Sequence, residues 1–105
     1  MDVPAFDRAQ RPVIVAPSMR SLNGTVTGCV RLPLHIDWTP ANTYELGALR
    51  RVVTMYQTVL QEAKSDSDLA VLNGQKLREV WGRLRLPANV REAWERAFPE
   101  LAELR

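Results

Sequence analysis

The sequence predicts an α+β fold that is mainly helical, a short N-terminal strand pair followed by about four packed amphipathic helices. Three observations carry this. Beyond Tyr44, apolar residues recur at three- and four-residue spacing in successive blocks. Before it, one stretch alternates with a period of two. The first 24 residues hold three prolines and no helical period. At 105 residues the chain suffices for one domain with a small core. The expected organisation is an extended, proline-containing arm over residues 1–24 and a single α-rich domain over residues 25–105.

In the arm, Pro4, Pro12 and Pro17 interrupt any helix, and Asn23-Gly24 closes it with a turn signal. Pro12-Val13-Ile14-Val15 is the candidate for a short edge strand, since proline cannot donate to a central ladder. The main strand candidate is Thr25 to Asp37. Val26, Gly28, Val30, Leu32, Leu34 and Ile36 share one parity there, with Thr25, Thr27, Arg31 and His35 on the other. Pro33 makes this an edge strand or divides it.

The first helix is predicted from about Gly47 to Lys64, with Leu49, Val52, Val53, Tyr56, Val59, Leu60 and Ala63 as its apolar stripe. Ser65-Asp66-Ser67-Asp68 stops it and caps a short helix over residues 69–72. Asn73-Gly74 reads as a turn. The next helix, about Gln75 to Leu84, places Leu77, Val80, Trp81 and Leu84 on one face, and Leu86-Pro87 breaks it. The last begins near Ala88 and carries Val90, Ala93, Trp94, Ala97 and Phe98. Pro99 ends or kinks it, with Leu101 and Leu104 suggesting one more turn.

Composition excludes several classes of function. No apolar run is long enough to span a membrane, and Met1-Asp2-Val3-Pro4 lacks the features of a signal peptide. A lone cysteine permits no internal disulfide, so a cytoplasmic protein is expected. The net charge of +2 is spread evenly along the chain, so strong nonspecific nucleic-acid binding is not implied.

Few residues can carry chemistry. His35 and Asp37 would share a strand face, but two ligands do not close a metal site. A half-exposed histidine beside a turn aspartate is the preferred reading. Cys29 lacks the charged surroundings of a reactive thiolate and reads as inert. Trp81 and Trp94 sit on apolar stripes and read as core. Trp38 joins no stripe. It either covers the core edge or anchors a partner, since tryptophan is enriched at interaction hot spots. Lys76, Arg78, Arg83, Arg85 and Arg91 flank the turn between the last two helices and invite a helix-turn-helix reading. The interleaved Glu79, Glu92 and Glu95 favour an ordinary solvated surface instead.

Several segments carry a family resemblance: Leu32-Pro33-Leu34-His35-Ile36-Asp37-Trp38-Thr39, then Thr43-Tyr44-Glu45-Leu46, then Met55-Tyr56-Gln57-Thr58-Val59-Leu60-Gln61-Glu62-Ala63. Leu77-Arg78-Glu79-Val80-Trp81, Leu84-Arg85-Leu86-Pro87, Val90-Arg91 and Ala93-Trp94-Glu95 continue it. This order resembles small bacterial antitoxin-like proteins paired with AbiEii-type nucleotidyltransferase toxins, across roughly residues 25–105. The resemblance implies a non-catalytic protein, with no catalytic, cofactor-binding or metal-binding residues, that binds and neutralises a cognate toxin. An extended segment suits that task because it can order across a partner's surface. Phe6, Val13, Ile14 and Val15 are its candidate anchors on a toxin or in a homodimer, with Trp38 the next place to look. A small DNA-binding regulator using the helices around residues 75–98 is the alternative.

Overall fold

The computed structural model describes residues 13–105. Two short antiparallel strands, β1 (Cys29–Arg31) and β2 (Thr43–Glu45), precede four helices. These are α1 (Leu49–Glu62), α2 (Asp66–Leu69), α3 (Gly74–Val80) and α4 (Ala88–Ala97). Short 3-10 helices occupy Met19–Ser21, Trp81–Arg83 and Pro99–Leu104. The predicted α+β, mainly helical class is the observed one.

The predicted strand over residues 25–37 shortens to β1. Gly28 adopts a positive φ of 82° before it, a conformation that glycine takes without a Cβ penalty. After it, Leu32 still bonds Asn42 across the ladder, but Pro33 turns the chain away. The alternation therefore fails at both ends: Val26 and Leu34 are exposed, whereas Leu32 and Ile36 are buried. The partner strand comes from Thr43–Glu45, and Val13 to Val15 are not in a strand.

The expected boundary at residue 24 is likewise corrected. Ala16, Met19 and Leu22 are buried in the same core as the helices, and Val13, Ile14 and Val15 pack half-buried against it. Asn73 fastens this segment. Its side-chain amide donates to Gly24 O at 3.1 Å, while Gly24 N donates to Leu72 O and Gly74 N to Leu22 O. A Cβ on Gly24 would sit 1.9 Å from Val71 O, so the strands of chain approach as closely as glycine allows. Arm and body are one unit from residue 13 onward.

α1 buries Val52, Met55, Tyr56, Val59 and Leu60. Leu49, placed on the predicted stripe, is exposed, and Met55 occupies the stripe instead. Ser65 caps α2 by accepting from Asp68 N, one turn earlier than predicted. Asn73-Gly74 is a helix start rather than a free turn, because Asn73 Oδ1 accepts from Lys76 N at 3.0 Å. α3 tightens to 3-10 geometry at Trp81, where a Cβ on Gly82 would lie 2.7 Å from Leu104 O. Trp81 and Trp94 are both fully buried, as predicted. Trp94 stacks obliquely on Phe98 at 5.8 Å between ring centres.

Candidate functional site

The turn over residues 33–39 is built from the inside outward. Pro33 O accepts from both Ile36 N and Asp37 N, which closes a single helix-like turn. Leu32 and Ile36 then point inward and are buried, leaving Leu34 68% and Trp38 80% exposed. Covering the core edge is thus not what Trp38 does; the indole stands in solvent.

The turn rests on a buried polar network. Asp37 accepts from Thr39 N at 3.1 Å and Thr39 Oγ1 at 2.7 Å, a local side-chain turn around Trp38. Its other oxygen accepts from the Tyr44 hydroxyl at 2.5 Å. The Arg51 guanidinium lies over the Tyr44 ring at 4.0 Å and donates to Ala41 O and Thr43 O. Burial pushes the Asp37 carboxyl up, but hydrogen bonds from Tyr44 and Thr39 and the Arg51 charge outweigh it and hold it below its ordinary value. Burial, reinforced by the Asp37 hydrogen bond, pushes the Tyr44 phenol up. The shared proton therefore stays on Tyr44 and the charge on Asp37.

His35 and Asp37 do not pair. His35 Nε2 lies 2.8 Å from Asp68 Oδ1, and Asp68 Oδ2 accepts from Lys64 N, tying the turn to the start of α2. Among the described residues, no three His, Cys, Asp or Glu side chains converge as a metal site. Cys29 is an exposed free thiol.

The basic residues of the last helices mostly have carboxylate partners. Lys76 pairs with Glu79 at 2.9 Å and Arg78 with Glu100 at 3.1 Å. Arg91 reaches Glu95 at 3.8 Å, stacks on Trp81 at 5.1 Å and donates to Leu84 O. Glu95 is buried, accepting from Trp81 Nε1 at 3.0 Å and from Arg105. The Arg105 hydrogen bond, against burial and with help from Trp81 and the Arg105 and Arg91 charges, lowers the Glu95 pKa from 4.5 to about 2.

Of the predicted anchors, Trp38 is displayed, Val13, Ile14 and Val15 are half-buried on their own core, and Phe6 lies outside the described residues. The sequence reading missed Tyr44 and Arg51 as supports. The Asp-Trp-Thr triplet carried a legible signal for Thr39, since aspartate commonly bonds the main chain two residues on. Nothing local marked Tyr44, seven residues away.

Comparison of the chain with protein-family models, curated proteins and solved structures finds no match. No helix among the described residues is long and apolar enough to cross a membrane.

Proposed function

We propose that this chain is a non-catalytic binding protein that neutralises a cognate toxin of the nucleotidyltransferase type, with Trp38 as its principal anchor. The observation that carries the binding role is a tryptophan left 80% exposed on a turn fixed from below by Asp37, Thr39 and Tyr44. A large rigid aromatic gives up little conformational freedom on docking, which is why such residues dominate interface energies. The class of partner rests on the motif resemblance across residues 25–105. Val13, Ile14 and Val15 keep part of their surface and extend the contact rather than form a free arm.

A DNA-binding role for residues 75–98 is the weaker reading. Lys76, Arg78 and Arg91 are already held by Glu79, Glu100 and Glu95, which reduces the positive field that phosphates require.

Co-expression with a nucleotidyltransferase-like protein from the neighbouring reading frame tests the proposal. Co-purification and growth rescue are expected, and both should disappear in Trp38→Ala. Full rescue by that variant would remove Trp38 from the reading.

A further inference from the structure

We propose that the outer edge of β1 is a self-association edge, at which two copies of the chain pair antiparallel about Val30 to make a four-stranded sheet. This is separate from the Trp38 reading and does not rest on it.

The two edges of the small sheet differ. Val30 pairs with Tyr44, flanked by Leu46 N donating to Gly28 O and Leu32 N donating to Asn42 O. In an antiparallel ladder this alternation turns the main-chain groups of Cys29 and Arg31 outward from β1, and those of Thr43 and Glu45 outward from β2. On β2 both outward carbonyls are used by the chain itself: Arg51 donates to Thr43 O and Ala48 N to Glu45 O. On β1 the outward groups of Cys29 and Arg31 meet no partner among the described residues. Such an edge is a template for another strand.

The local sequence permits one self-pairing register. With Cys29 opposite Arg31 of the second copy, every outward donor and acceptor is matched. Sliding so that Cys29 meets Cys29 would bring Arg31 against Thr27, whose N–H donates to, and whose carbonyl accepts from, the Thr25 hydroxyl of its own chain. Sliding the other way would bring Cys29 against Pro33, which has no N–H and whose carbonyl already accepts twice.

Charge and apolar surface agree with that register. Cys29 faces Glu45 and Arg31 faces Thr43 within one copy. Across the dimer the row on the exposed face becomes Glu45, Cys29, then Arg31 and Thr43 of the second copy. The small cysteine leaves Arg31 within reach of the opposite Glu45. The exposed Val26 and Leu34 lie four residues either side of Val30, so the two-fold brings the Leu34 end of each copy to the Val26 end of the other.

Light scattering coupled to size exclusion of the full chain should show a monomer–dimer equilibrium at roughly micromolar concentration, as a small interface implies. Arg31→Pro removes an outward N–H without touching the β1–β2 ladder and should give a monomer with unchanged circular dichroism. Arg31→Cys should form a disulfide-linked dimer under copper phenanthroline and air, since directly opposed residues lie about 5.5 Å apart. Wild type should not, because its two Cys29 residues would be diagonal neighbours about 7–8 Å apart. A wild type that stays monomeric to about 1 mM, or an Arg31→Cys chain that does not cross-link, overturns the proposal. If Arg31→Pro fails to fold, the cross-linking result decides alone. A monomer whose toxin co-purification is lost in Arg31→Pro would overturn self-pairing and assign the edge to a foreign strand.

Discussion

The Tyr44 hydroxyl donates to the buried Asp37 carboxylate at 2.5 Å, joining the middle of β2 to the base of the turn that displays Trp38. That single bond separates two kinds of substitution. Changes beneath the turn should disturb both folding and binding, whereas changes on its tip should disturb binding alone.

Trp38→Ala tests the tip. Its indole is mostly in water, so stability should move by no more than about 0.5 kcal/mol. Affinity for the partner should fall by about 2 kcal/mol or more, as for a hot-spot residue. A thermal melt beside a binding titration measures both.

Tyr44→Phe tests the base. It leaves a buried carboxylate short of one donor, at about 1–3 kcal/mol. The urea midpoint should drop accordingly, and partner binding should weaken although Trp38 is untouched.

The two core tryptophans should separate on replacement by phenylalanine. The Trp81 indole N–H donates to Glu95, whereas the Trp94 N–H is buried without a partner among the described residues. Trp81→Phe should therefore cost more than Trp94→Phe, by about 1–3 kcal/mol. Truncating either to Ala should cost about 3–5 kcal/mol. Denaturant titrations of the four variants provide the comparison.

Acid should unfold the protein partly through Glu95. Its pKa is lowered from 4.5 to about 2 in the folded state, so the charged form is the one that folding favours. That contribution is complete above about 4.5 and is lost as pH falls through about 2. Asp37 and Asp68, also held below their ordinary values, act in the same direction. Glu95→Gln should lower stability at neutral pH and flatten its dependence in acid, as followed by urea melts across that range.

Much of the helical half was legible because one face of each helix had to be apolar. Val52, Tyr56, Val59 and Leu60 declare α1, and Trp81 and Trp94 declare the core, by spacing alone. The first half was harder. Alternation over residues 25–37 looked like one strand, yet Gly28 and Pro33 cut it to three residues. Ala16, Met19 and Leu22 show no period, so nothing local revealed that they are core. The tip of the candidate site, Trp38, stood out as a tryptophan without a stripe. Its supports did not, since Tyr44 and Arg51 meet Asp37 only through the tertiary fold.

Removing the segment Val13 to Leu22 should then destabilise the whole domain instead of freeing a dispensable arm. Leu22→Ala alone should cost about 2–5 kcal/mol. Gly24→Ala, with its Cβ driven against Val71 O, should be worse tolerated than its small size suggests. Circular dichroism melts distinguish these outcomes from the intact stability a loose arm would give.

The hydrogen bonds from Asn73 to Gly24 and from Gly24 to Leu72 also set an order of events during synthesis. The segment carrying Ala16, Met19 and Leu22 leaves the ribosome about 50 residues before its partners. At roughly 5–20 residues per second, that is an interval of several seconds. Throughout it these apolar side chains lack the hydrogen-bonded contact with Leu72, Asn73 and Gly74 that fastens their segment. Chaperones would meet the nascent chain with this end still unfastened, and the arrival of Leu72, Asn73 and Gly74 closes it.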